Sequence, residues 1–224
     1  MNLSFIRRAF ALFILGFTLA SSHAWADTDA FVRAIKQDND LAIRNLLSRG
    51  FDPNTKDEKG TPGLYMALQE GSLKVARVLI DSPKLKPESR NASDESPLMM
   101  AAFKGYLDLV EILIKKGADV NKPGWAPLHY AATSGQLKIM ELLLEEHAFI
   151  DAESPNGTTP LMMAAAYGAP EAVKLLIEAG ADLRMRNQKG MTALDFAQKA
   201  ERKDAVELLT MGLKYTAPGS RGKW

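Results

Sequence analysis

Ser96-Pro97-Leu98-Met99-Met100-Ala101-Ala102-Phe103-Lys104-Gly105, continued by Tyr106 and the run Leu107-Asp108-Leu109-Val110-Glu111-Ile112-Leu113-Ile114-Lys115-Lys116-Gly117-Ala118-Asp119, reads as one complete structural unit. Ser96 predicts an N-cap and Pro97 the first helical position, where a missing N–H does no harm. Leu98, Ala101 and Ala102 form one apolar face, and the small alanines allow a neighbouring helix to come close. Gly105 turns the chain into a second helix in which Leu107, Val110, Leu113 and Ile114 share a side. Lys115 and Lys116 fall in its last turn, suited to the negative end of the helix dipole. Gly117 predicts a left-handed helix end, and Asp119 and Asn121 then open an extended finger.

This unit recurs along the chain at intervals of 30 to 34 residues. Leu64-Tyr65-Met66-Ala67, Pro127-Leu128-His129-Tyr130-Ala131, Pro160-Leu161-Met162-Met163-Ala164 and Ala193-Leu194-Asp195-Phe196-Ala197 align with Pro97 to Ala101. A Gly follows at the same offset in four units, at positions 71, 105, 135 and 168, and each is followed by a second apolar run. Gly117-Ala118-Asp119 and Gly180-Ala181-Asp182 close two of these runs, with Gly50-Phe51-Asp52 a weaker copy. Self-similarity at this period marks a stacked repeat array in which each hairpin needs its neighbours to bury its apolar face.

These recurring positions resemble the ankyrin repeat, whose pattern is a turn, Thr-Pro-Leu-His-x-Ala, a Gly, a second helix and Gly-Ala-Asp-x-Asn. The resemblance covers residues 28 to 212 and implies an all-α repeat solenoid of helix-turn-helix units with β-hairpin or loop fingers. Its units are expected at 27–59, 60–94, 95–124, 125–157, 158–190 and 191–212, the first and last acting as caps. The caps differ as expected for array ends. Arg44 stands where Val110 and Val173 stand elsewhere, Ala193 replaces the Pro, and Glu201 replaces the Gly. Residues 213–224 lose the periodicity and read as a disordered tail.

Two departures shape the expected surface. Val120 to Trp125 omits about three residues of the usual finger and predicts a notch in the finger row. Asp81 to Glu95 carries Pro83 and Pro87 in place of Gly-Ala-Asp, which predicts an irregular, longer-reaching finger.

The first 26 residues carry Arg7-Arg8, the apolar run Ala9 to Ala20, and an Ala24-Trp25-Ala26 cleavage site. That pattern predicts a Sec-type signal peptide cut before Asp27, and the apolar run is shorter than the ~20 residues a membrane span needs. The expected location is the periplasm, with secretion beyond it as the alternative. No Cys occurs in the sequence, so stacking rather than disulfides must hold an exported domain, and thiol chemistry has no residue to use. The chain has 28 basic and 27 acidic side chains, without the basic footprint of a nucleic-acid binder. No membrane insertion is expected after signal cleavage, and a monomer is expected.

Catalytic and metal readings find little support. His129 falls on the motif His, which in ankyrin repeats bonds the finger backbone, and His147 replaces a helix-ending Gly. Asp108 with Glu111, and Glu141 with Glu145, sit on polar helix faces. Met99-Met100 and Met162-Met163 could offer thioethers to Cu(I), but neighbouring helical residues point about 100° apart and the pairs fall where helices pack. No catalytic residue, metal site or cofactor is assigned.

The resemblance places partners against a concave side, built from the residue before each Thr-Pro equivalent and the two before each Gly. Those positions are Gln69, Glu70, Glu95, Phe103, Lys104, Trp125, Thr133, Ser134, Thr158, Ala166, Tyr167 and Met191. Phe103, Trp125 and Tyr167 stand out, since the framework needs no aromatic there and aromatic anchors dominate interface energies. For Trp125, packing over its own shortened finger is an equal alternative, and Phe103 could fill a groove between units. The expected function is non-catalytic binding of a folded protein of unknown identity, with a stress-defence enzyme such as catalase as one partner class. An effector or inhibitor acting on a host or competitor protein is the alternative.

Overall fold

The computed structural model describes residues 27–215, so the predicted signal peptide lies outside the described residues. Two compact units divide at Lys86 and Pro87. Each is a set of paired antiparallel helices, and the fold is all-α with ankyrin-type repeats. The fingers are turns rather than strands: a single isolated bridge, Lys56 to Pro62, is the only β pairing among the described residues. No described helix is long and apolar enough to cross a membrane.

The first unit holds α1 (27–36), α2 (Asp40–Ser48), α3 (Gly63–Glu70) and α4 (Leu73–Asp81). Phe31, Ile35, Ile43, Leu64, Leu68 and Leu79 make its core. Gly63 stands where other units have Pro because Phe31 occupies the space: a Cβ there would lie 2.5 Å from the ring. Ser72 Oγ donates to the Ile35 carbonyl at 2.5 Å, and Asp38 accepts from the Val75 N–H at 3.0 Å, which locks the cap hairpin onto its neighbour.

The second unit holds α5 (Pro97–Lys104), α6 (Leu107–Lys115), α7 (Pro127–Ser134), α8 (Leu137–Glu145), α9 (Pro160–Tyr167), α10 (Pro170–Glu178), α11 (Ala193–Lys199) and α12 (Lys203–Tyr215). Helices α5, α7, α9 and α11 pack side by side in one row, and α6, α8, α10 and α12 form the row behind. Ala101, Ala131, Ala164 and Ala197 are fully buried in the front row, where a larger side chain would push the helices apart. The last helix continues to Tyr215, past the boundary at 212, because Leu213 extends its apolar face and nothing in Gly212-Leu213-Lys214 breaks it. Gly212 is buried there, against Leu183 and Ile177.

Side chains stitch successive fingers together within each unit. In the first, Asn54 donates to the Lys84 carbonyl at 2.8 Å and accepts from the Lys86 N–H at 2.7 Å. In the second, Asn121 makes the same pair of bonds to the His147 carbonyl and the Phe149 N–H, both 2.7 Å. Glu88 takes the Asp119 N–H, and Asp151 takes that of Asp182. Lys84 and Lys86 are therefore tied to the preceding finger in the first unit, and Glu88 to the following finger in the second. The turn from Asn91 to Glu95 closes as the others do. Asn91 Oδ1 accepts from Ser93 and Glu95, as Asp57 does from Lys59 and Thr61 and Asn187 from Lys189 and Met191.

The shortened finger is the exception. Asn121 is spent on the next finger, so it cannot close its own turn. Lys122 does so instead: its ammonium donates to the Pro123 carbonyl at 3.0 Å and the Trp125 carbonyl at 3.5 Å, and pairs with Asp94 at 2.5 Å. The place of the omitted residues is filled by this lysine, which is only 5% exposed.

Candidate functional site

The framework beneath the site is set at the start of each front-row helix. Ser96, Thr159 and Thr192 accept the N–H of the third helical residue on their hydroxyls, at 3.3, 3.4 and 3.3 Å. That third residue reaches back to the cap N–H: Met99 and Met162 accept it on sulfur, Asp195 on a carboxylate oxygen, His129 on Nδ1. The thioethers are thus committed to the backbone, and Met99 and Met162 are buried. His129 is buried as well, 2.9 Å from the Thr158 carbonyl through Nε2. Burial holds its pKa below the ordinary imidazole value. The Asp195 carboxyl is held below the usual carboxylate range by the Thr192 N–H and hydroxyl. Asp108, Glu111, Glu141 and Glu145 are exposed.

In the second unit, the predicted aromatic residues come together along the exposed edge of the front row. Phe103 is 39% and Tyr167 64% exposed, while Trp125 is half-buried between them. Two grooves meet at Trp125 and Met163. The smaller, about 170 Å³, is lined by Phe103, Trp125, His129, Tyr130, Thr133 and Met163. The larger, about 510 Å³, includes Trp125, Met163, Tyr167, Met191, Phe196 and Lys199 among its walls. Trp125 packs edge-on against His129 at 5.2 Å, and Phe103 against Tyr130 at 6.4 Å. Trp125 thus packs on His129 of α7 rather than over its own finger, and it also lines both grooves.

The other predicted positions divide by environment. Lys104 is exposed beside Phe103. Thr133 and Ser134 are half-buried and donate to the His129 and Tyr130 carbonyls at 2.6 and 3.0 Å. Glu95 is half-buried and accepts from Tyr130 at 2.8 Å and Asn91 at 2.6 Å, so it orients the Tyr130 ring. Thr158 is 2% exposed and forms groove floor, with its N–H donated to Ser154 and its carbonyl taking His129. Met191 is a half-buried groove wall. Gln69 and Glu70 are exposed at the end of α3 in the first unit.

Tyr130, Met163 and Phe196 belong to the grooves but were not among the expected positions. A signal for them exists: each lies three or four residues before Ser134, Tyr167 and Lys199, and so one turn back on the same helical edge. Lys189 arrives from the last finger and could not have been placed without the fold.

The profile of the family described as ankyrin repeats matches residues 31–123, 84–154 and 128–218. A chain in the solved complex of a predatory endopeptidase from Bdellovibrio bacteriovorus with an immunity protein is 32% identical. It superimposes with a TM-score of 0.70, over 81% of this chain and 97% of that one. Among curated proteins, alpha-latrocrustotoxin-Lt1a of Latrodectus tredecimguttatus is 39% identical over 38% of this chain and 6% of its own length. Human NF-kappa-B inhibitor alpha is 37% identical over 34% of this chain and 26% of its own length. The chain thus spans only a small part of these curated relatives.

Proposed function

Because the chain belongs to the ankyrin-repeat family, we propose that it is a non-catalytic inhibitor of the immunity type, binding a folded endopeptidase through the aromatic grooves of its second unit. The observation that carries this reading is the convergence of Phe103, Trp125 and Tyr167 along one edge, where they line two adjoining grooves. Rigid aromatic side chains over half-open apolar grooves are the composition of interface hot spots. The likeness to a chain from an endopeptidase–immunity complex supplies the partner class. The predicted signal peptide supports a periplasmic site of action, where such an enzyme would need restraint in the cell that makes it.

The test is affinity capture from periplasmic extract of the source cell, run beside Phe103→Ala/Trp125→Ala/Tyr167→Ala with its helicity checked. An endopeptidase retained by the wild type, lost by the variant and silenced by stoichiometric protein supports the reading. Equal retention by both proteins, or a captured enzyme that stays fully active, overturns it.

A further inference from the structure

The larger groove has a chemical bias that its apolar walls alone do not explain. Lys199 stands at the end of α11 and Lys189 on the adjoining finger, both exposed and both on the groove rim. Neither is ion-paired among the described residues, and no carboxylate is among the described residues that line the groove. Lys104, next to Phe103 in sequence, is a further exposed cation in this unit. Asn156 and Asn187, also in the lining, bring amide groups. At about 510 Å³ the groove falls within the ~300–1,000 Å³ of sites that take up an organic group whole.

We infer that the occupant is an acidic segment of the partner with one apolar anchor, its carboxylates meeting Lys189 and Lys199 while the anchor enters between Tyr167, Phe196 and Trp125. The inference rests on the proposed binding role of this edge and adds the chemistry of what binds. The lysines raise the encounter rate and fix orientation, and the aromatic walls hold the anchor once it is in. Exposed cations on flexible stems lose their effect at high salt, whereas the anchor contact does not.

The test uses three labelled peptides followed by fluorescence anisotropy: an Asp/Glu peptide with a central Phe, the same peptide with Lys for every acid, and the acidic peptide with Ala for Phe. Wild type should prefer the first over each of the others by about tenfold or more, with the preference over the Lys peptide shrinking as salt rises. Lys189→Glu/Lys199→Glu should reverse the charge preference, and both substitutions lie on exposed stems that folding does not need. Equal binding of the acidic and basic peptides to wild type, or an unchanged preference in the double variant, overturns the inference. The endopeptidase captured above separates the two claims. If Tyr167→Ala/Phe196→Ala loses it and the lysine variant keeps it at every salt concentration, the groove stands and the acidic occupant falls. If the aromatic variant keeps it too, the groove itself falls.

Discussion

The imidazole of His129 bridges two repeats, taking the Ala126 N–H on Nδ1 at 3.1 Å and facing the Thr158 carbonyl with Nε2 at 2.9 Å. A backbone N–H can only donate, so Nδ1 carries the lone pair and the proton sits on Nε2, which donates to Thr158. The neutral ring fits this site and the imidazolium does not, because a proton on Nδ1 would face another donor in a buried place. Burial accordingly holds the pKa below its usual value.

From this follows a pH dependence with a definite sign. The unfolded chain protonates His129 near the ordinary value of about 6.5, while the folded chain resists until lower pH. Stability from this group is complete above that value and falls as pH drops below it, by up to about 1.4 kcal/mol per pH unit. Urea midpoints followed by circular dichroism should decline between about pH 7.5 and 5.5. In His129→Met, which copies Met99 and Met162, that decline should flatten, although the variant starts less stable for want of the Thr158 bond. An equal slope in both proteins would refute the assignment.

Lys122 is the second place where a neighbour's choice dictates a side chain. The residue at the His129 position one repeat earlier is Met99, which has no donor for the Trp125 carbonyl, and the shortened finger supplies no turn N–H either. The lysine ammonium takes over that carbonyl together with Pro123. Lys122→Met should cost about 1.5–3 kcal/mol, the range for hydrogen bonds involving a charged group. Asp94→Asn should cost clearly less, because the Asp94 side chain is 62% exposed and well solvated without its partner. The hydrogen bond from Lys122 holds the Asp94 carboxyl below its usual range. What stability it lends is present above the unfolded carboxylate pKa and is lost as pH falls through the folded one. Chemical denaturation of both variants at neutral pH ranks them, and a larger loss in Asp94→Asn would contradict this account.

The units opening at Pro97 and Pro160 declared their helices in the sequence because three local requirements coincide at fixed spacing, a cap before Pro, alanines at the helix contact and Gly at the turn, and the other units followed by alignment with them. Trp125, Phe103 and Tyr167 stood out in the sequence for a different reason, namely that the repeat pattern calls for no aromatic at those positions. Lys122 was not legible. Its role depends on what Met99 lacks and on three residues that are missing, and neither is a property of the lysine. The ties of Lys84 and Lys86 to Asn54 were hidden likewise, since Pro83 and Pro87 disguise the segment that carries them. Met163, Tyr130 and Phe196 were hidden by their neighbours, as apolar residues next to core residues read as core.

Gly168 aligns with Gly71, Gly105 and Gly135 but is held by another constraint. Those three are left-handed, with φ of 77°, 80° and 68°, whereas Gly168 has an extended backbone at φ −75° that any residue could adopt. It remains Gly because a Cβ would press into the carbonyl of Ala132 on the neighbouring helix. Gly168→Ala should therefore cost about 1–3 kcal/mol as overpacking that forces α7 and α9 apart. Gly117→Ala, left-handed with open space around it, should cost only the backbone strain of about 1–2 kcal/mol. The two differ in kind: backbone amide exchange should rise on both α7 and α9 in the first variant and stay local to the turn in the second. Purely local change in Gly168→Ala would remove the Ala132 contact as its explanation.

Tyr167 separates binding from folding most cleanly, since its side chain is 64% exposed and spends little on the framework. Tyr167→Ala should leave the denaturation midpoint within about 0.5 kcal/mol of wild type, as expected for an exposed substitution. It should nevertheless weaken the captured partner by about tenfold or more, the loss expected when an interface aromatic is truncated. Trp125→Ala should do both, because the same indole packs on His129 and lines the two grooves. Plotting loss of affinity against loss of stability for the two variants therefore distinguishes a contact residue from one that also holds the groove in shape. Tyr167→Ala with full affinity would exclude that residue from the interface.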